Sequence, residues 1–306
     1  MNEADWQTEF NKYKGTDQFK YVHSNFSLSD FKFIFFWEWF HRVWARLMGM
    51  VFLIGFAYFV VSKKIKKEMG LPMVILFLLG GLQGAVGWLM VKSGLVPEKY
   101  FVGHIELTIH LILALLLLTY TVWFALKLKV QARQMLVNPS MYKLLVIIAI
   151  VLFFQLIYGG FMAGMRTAVM APTWPDINGY LMPPGMATMS PVVKNIFYNP
   201  ITIHFIHRGL AYLLFALVII GWFKSKTISG NPLFAGLWLI TVLLLIVQVL
   251  LGIFTVLNSM YAGRLAVLGV SHQFVGMLLV IVITNLLFIT RRKALWYLNA
   301  KKELTD

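Results

Sequence analysis

The sequence predicts an all-α polytopic membrane protein, and three observations carry that prediction. Hydrophobic residues make up 59% of the 306-residue chain and charged residues only 13%, with a mean hydropathy of +0.76. A chain this apolar cannot surround a core with a water-soluble surface. The apolar residues gather in seven runs, each long enough for the roughly 20 residues that a bilayer core requires. The basic residues gather between those runs, mostly on one side.

The formal net charge of +15 would suggest nucleic acid in a soluble chain. Here the cations lie in short loops between apolar spans, so they report topology, and no nucleic-acid partner is predicted. Cysteine is absent, which excludes thiolate metal sites, iron–sulfur clusters, disulfides and thiol redox chemistry. The N-terminus carries neither a signal-peptide pattern nor an Arg-rich, acid-poor leader.

Residues 1–30 are polar and aromatic and are expected to form an ordered loop or short helix outside the membrane, with Ser27 to Asp30 as a helix N-cap region. The spans are expected at Phe31–Ser62, Leu71–Val91, Phe101–Leu126, Tyr142–Ala163, Ile201–Phe223, Leu233–Leu257 and Leu265–Thr290. The first exceeds a bilayer's need, so its first turns project beyond the hydrocarbon. Lys63, Lys64, Lys66 and Lys67, then Lys127, Lys129, Arg133 and Lys143, then Lys224 and Lys226, then Arg291, Arg292 and Lys293 share one side. The positive-inside rule makes that side cytoplasmic, with the N-terminus outside, the C-terminus inside and the long Gly164–Pro200 loop outside.

That orientation places His41, His110, His207 and His272 in the outer third of their spans. An internal repeat orders them: His41-Arg42 matches His207-Arg208, Gln83 and Gly87 match Gln248 and Gly252, and His110 matches His272. The fourth span carries the same Gln-x-x-x-Gly element in Gln155 and Gly159, a small residue and an amide on one helix face where helices can approach closely. The chain therefore divides into two pseudo-symmetric bundles of three and four helices. Its regions are an outer segment at 1–30, a first bundle at 31–126, a linker at 127–141, a second bundle at 142–290 and a cytoplasmic tail at 291–306.

Two histidines on different helices at matched depth are what bis-imidazole haem ligation needs, since a planar macrocycle between helices offers one axial position to each. Arg42 and Arg208 would suit the propionates, because guanidinium binds carboxylate through two parallel hydrogen bonds. The alternative is that such histidines only hydrogen-bond between helices. Glu38 shares a helix face with His41 and is the candidate proton-handling group; its alternative is a structural ion pair with Arg42. Trp37, Trp39 and Trp44 read as an interfacial belt. His104 reads as an interfacial polar residue and not a co-ligand, while His204 stands relative to His207 where Glu38 stands relative to His41. For His204 the readings are contact with a propionate or ligand, or a place at the lipid interface. His23 has no partner that the sequence names.

The segments "FKFIFFWEWFHRVWARLMG", "HIELTIHL", "NPITIHFIHRGLAYLL" and "VLGVSHQFVGMLL" resemble the four histidine helices of haem A synthase. "GGFMAGMRTA" and "WPDINGYLMPP" resemble its central span and following outer loop. The resemblance implies a multi-pass protein of the bacterial cytoplasmic (inner) membrane that oxidises the C8 methyl of haem O to the formyl group of haem A for terminal oxidases. It implies that His207 and His272 ligate a resident haem b, and that His41 and His110 face the substrate haem O with Glu38 beside them. Haem O synthase, terminal oxidase assembly factors and an unspecified electron acceptor are the partners it implies, beside the lipid bilayer.

The outer-loop cysteine pair of some members is missing. The family's expected four plus four helices become three plus four, and the chain is expected to start within the first outer loop, with a further helix encoded upstream. Two other functions fit the residues. One is a di-haem cytochrome b in quinol electron transfer; the other is a non-enzymatic haem carrier or assembly factor.

Overall fold

The computed structural model describes residues 2–94, 99–228 and 230–291, together with the side chains there except that of Lys67. The expected tail, with Arg292 and Lys293, lies outside the described residues apart from Arg291. The described residues form eleven α-helices: α1 (Glu3–Lys14), α2 (Asp17–Val22), α3 (Leu28–Val61), α4 (Lys67–Ser93), α5 (His104–Lys129), α6 (Pro139–Met165), α7 (Thr167–Met170), α8 (Asn195–Tyr198), α9 (Pro200–Lys226), α10 (Pro232–Leu257) and α11 (Ala262–Thr290). Among the described residues no β-strand forms, and seven helices, α3 to α6 and α9 to α11, are long and apolar enough to cross a membrane. The seven expected spans are these helices, most of them a turn longer than their apolar runs. The helix α5 is displaced: it starts at His104 and leaves Phe101 to Gly103 outside.

Local chemistry sets the starts. Ser27 caps α3 by a reciprocal box, accepting from the Asp30 N–H at 3.2 Å while the Asp30 carboxylate accepts from the Ser27 N–H at 2.9 Å. The spans α6, α9 and α10 open on Asn138-Pro139, Asn199-Pro200 and Asn231-Pro232, each asparagine accepting from an N–H of the first turn. Proline at the first helical position has no N–H to leave unpaired, and its fixed φ already suits the helix.

The chain divides into two compact units, Met1–Leu113 and Ala114–Asp306. The division falls inside α5, ahead of the expected linker at 127–141. In the second unit the later turns of α5 pack on α11: Trp123 meets Phe288 edge to face at 5.1 Å, and the Arg291 guanidinium lies over the Trp123 ring.

The N-terminal segment of the first unit is helical, as α1 and α2, and rests on the start of α3 through an aromatic cluster. Phe10 and Phe31 are buried, and Tyr13 stacks on Phe31 at 5.1 Å. His23 gains a partner here: its Nδ1 lies 2.5 Å from the Tyr13 hydroxyl, and its ring stacks on Phe26 at 3.9 Å. Burial pushes the Tyr13 phenol above its ordinary pKa.

In the second unit α6, α9, α10 and α11 form a four-helix bundle around Ile148, Leu152, Leu214, Val218, Leu245 and Ile283, all buried. Trp238 is fully buried with its ring over Gly221, where any Cβ would overlap it. The connection from α5 to α6 is tied down by the Leu136 N–H, which donates to the Ile289 carbonyl at 2.7 Å, and by Asn231, whose amide donates to the Gln134 carbonyl at 3.1 Å.

Candidate functional site

Residues far apart in the chain meet in the second unit. His207 lies two turns into α9 and His272 three turns into α11, and their ring centroids stand 6.5 Å apart with the planes at 67°. Two metal–imidazole bonds of ~2.0–2.1 Å, plus about 1.1 Å from each bonding nitrogen to its ring centre, put the centroids about 6.3 Å apart. The observed spacing is close to that value, with the Nε2 atom of each ring accepting from a glutamine amide. Among the described residues no group of three or more His, Asp or Glu side chains comes together as a metal cluster.

Each ring is held from a neighbouring helix. The Gln248 side chain of α10 donates to His272 Nε2 at 3.3 Å, and His272 Nδ1–H donates to the Gln248 carbonyl at 3.0 Å. The Gln155 side chain of α6 donates to His207 Nε2 at 3.3 Å, while His207 Nδ1 is buried with no hydrogen-bond partner. Both ring nitrogens of His272 are thus engaged, and Nδ1 is the unpartnered nitrogen of His207.

Arg208 faces the connecting loop. Its NH2 donates to the Thr173 carbonyl at 2.6 Å, its NH1 to the Asp176 and Pro175 carbonyls at 2.5 and 3.2 Å, and its Nε to His204 Nε2 at 3.0 Å. His204 is 1% exposed, so it sits in the core and not at a lipid interface. The loop that Arg208 grips is closed on itself. Asp176 accepts from the Gly179 N–H at 2.8 Å, and Thr173 Oγ1 accepts from the Asn178 N–H at 2.7 Å. The Gly179 N–H, then Thr173, hold the Asp176 carboxyl below its ordinary pKa. A second knot follows, where Asn199 donates to the Gly185 carbonyl at 2.7 Å and to Asn195 Oδ1 at 2.9 Å. The His207 helix is thus anchored at its head by the loop before it.

In the first unit, Glu38 and Arg42 form an ion pair one turn apart on α3, both exposed, with His41 exposed between them. His110 on α5 is half-buried against α4, where the Gln83 amide lies 3.2 Å from its Nδ1 and donates to its carbonyl at 3.1 Å. Trp37, Trp39 and Trp44 are exposed on α3. His104 is half-buried at the first turn of α5.

Gln83, Gln155 and Gln248, expected only as helix-contact residues, each bring an amide to a histidine ring. The available signal was positional, a Gln-x-x-x-Gly element on the span preceding each of His110, His207 and His272.

Comparison with known proteins adds a family. The profile of the COX15-CtaA family, described as cytochrome oxidase assembly protein, matches residues 1–284. A heme A synthase of Nitrosospira multiformis is 39% identical over 262 residues, covering 84% of this chain and 73% of the relative. One from Parvibaculum lavamentivorans is 35% identical, covering 89% and 79%, and one from Flavobacterium johnsoniae is 33% identical, covering 93% and 83%.

Proposed function

We infer the activity from a plain premise: the chain belongs to the COX15-CtaA family, and the relatives it matches at 33–39% identity are haem A synthases. It is a multi-pass membrane oxidoreductase that converts haem O to haem A. We propose further that the second unit holds a resident haem b and that the first unit works on the substrate. The observation carrying the first of these is the 6.5 Å spacing of the His207 and His272 rings.

Haem b would supply a one-electron redox centre. His207 and His272 would hold its iron in place of the Gln155 and Gln248 amides that their Nε2 atoms now accept from. In the first unit His41 and His110 would face the substrate haem. Oxidising a methyl to a formyl group takes up one oxygen atom, from water in a purely oxidative route, and releases protons together with electrons that pass to an external acceptor; Glu38 is the proposed acceptor for the protons. Arg42 holds the Glu38 carboxylate to one side of its helix and is the cation available to a propionate there. Arg208 grips three loop carbonyls, so its part in the haem b site is to fix the loop over the head of α9. The positive-inside rule puts the histidine ends of the spans outside and the lysine-rich ends in the cytoplasm, which makes the cytoplasmic membrane the site of action. Haem O synthase and oxidase assembly factors are the partners proposed.

The test is to extract the haems of the purified protein under acid and separate them. Haem O, a hydroxylated derivative or haem A beside haem b is expected. Haem b alone, at two per chain, would identify an electron-transfer cytochrome instead.

A further inference from the structure

In the second unit α6 packs directly on α11, and α5 reaches α11 through the Trp123–Phe288 contact. These three helices leave an open groove of about 310 Å³ lined by Trp123, Tyr142, Val146, Ile150, Phe153 and Leu287, almost wholly apolar. On α6 the lining runs from Tyr142 to Phe153, about 16 Å along the axis at the helical rise per residue. That is the depth of one leaflet in a hydrocarbon core of ~30 Å. A further spanning helix would need the full depth, whereas one acyl chain needs half of it.

One end of the groove is cationic. The Leu136 N–H, donating to the Ile289 carbonyl, brings the start of α6 to the end of α11. At that level Lys127 stands four residues past Trp123, Arg291 four past Leu287, and Lys143 beside Tyr142. The Arg291 guanidinium is held over the Phe288 ring at 3.8 Å and the Trp123 ring at 5.2 Å, against the groove wall. No acid of the described chain answers these cations. Among the described residues of the second unit the only Asp or Glu is Asp176, in the loop at the opposite end of the spans. The positive-inside rule alone would account for cations at this end. It would not open a groove one leaflet deep between them.

We propose that the groove binds an anionic phospholipid, with one acyl chain along α6 and the phosphate among Lys127, Lys143 and Arg291. Arginine and lysine hold phosphate by charge-assisted hydrogen bonds, and Trp123 and Tyr142 suit the level of the headgroups. The site stands apart from the histidines, so it does not rest on the haem b reading.

The test is to titrate the delipidated full chain with dioleoylphosphatidylglycerol and, separately, dioleoylphosphatidylcholine, reading bound lipid per chain by native mass spectrometry. The anionic lipid should bind at one site and more tightly than the zwitterionic one. Lys127→Gln and Arg291→Gln should each weaken phosphatidylglycerol by about 5-fold, and together by about 30-fold, with phosphatidylcholine unchanged. Lys224→Gln with Lys226→Gln, cations of the same membrane face on α9, should change neither. Ala149→Leu, which enlarges a side chain of the groove lining, should weaken both lipids at unchanged haem content; the charge variants decide alone if it does not fold. Equal binding of the two lipids by the wild type, or wild-type affinity in the double charge variant, would overturn the proposal. So would an equal loss in the α9 variant, which would mark a general surface-charge effect. Competition by glycerol 3-phosphate as strong as by the whole lipid would reduce the site to its cations, and displacement by farnesol would give the groove to an isoprenoid; either result would overturn it.

Discussion

The two units carry the same pattern, a His-Arg pair and a later histidine, in opposite surroundings. Arg42 and Arg208 each bond the side chain four residues before them, but that side chain is Glu38 in the first unit and His204 in the second. Glu38 is exposed and His204 is 1% exposed. A carboxylate buried where His204 lies would need full compensation for its lost hydration, whereas a neutral imidazole needs only hydrogen bonds. The difference extends to whole spans: none of the most apolar window of α3 or α4 is buried within the protein, against 50% for that of α11. On the roles proposed above, an ionisable acid on the exposed helix would serve substrate turnover and the buried His204 would serve retention of a cofactor.

The sharpest way to break this comparison is at the ligands. His207→Ala or His272→Ala should abolish the low-spin haem b spectrum entirely, read as the reduced-minus-oxidised difference, because one axial bond is lost outright. If both variants keep the full spectrum, the second unit is not the haem b site.

Next comes the acid of the first unit. Glu38→Gln keeps the shape of the side chain and removes its charge, so haem b content should stay near normal while haem A formation falls by about 10²–10⁴-fold. Normal haem A formation in this variant would remove Glu38 from the chemistry and leave only its ion pair with Arg42.

The two arginines sharpen the contrast at smaller scale. Arg208→Ala strips three loop carbonyls and the buried His204 Nε2 of their donor, and should lower stability by ~1–3 kcal/mol or more. Arg42→Ala breaks an exposed pair and should cost under about 1 kcal/mol. Thermal unfolding of the two variants in one detergent would show it, and equal losses would contradict the ordering.

The smallest effect expected is one of pH. The folded protein holds the Asp176 carboxyl below its ordinary value of 3.8. Its contribution is therefore present above that value and is lost as pH falls through the lower, folded-state pKa. Hydrogen exchange at the Gly179 amide, measured against Asp176→Asn, should converge between wild type and variant only at the acid end. Identical exchange at neutral pH would show that the carboxylate does not hold the loop.

Much of this architecture was legible in the residues. Ser27 with Asp30 announced the start of α3, and the three Asn-Pro pairs are equally readable as starts of α6, α9 and α10, although the apolar runs alone place those starts one to three residues late. The partners of Arg208 and His23 were not legible, because Thr173 and Asp176 reach Arg208 only through the fold of the loop, and Tyr13 reaches His23 only through the turn between α1 and α2.

The sequence by itself determined what depends on consecutive residues: the spans and their caps. A bilayer selects helices by hydrophobicity summed over a local window, so that information is written in order along the chain. The tertiary structure alone decided which groups touch: that His207 faces His272, that each ring lies on a glycine of another helix, and that His204 is buried. Those outcomes depend on the rotation and closeness of packed helices, which are set by side chains tens of residues apart acting together.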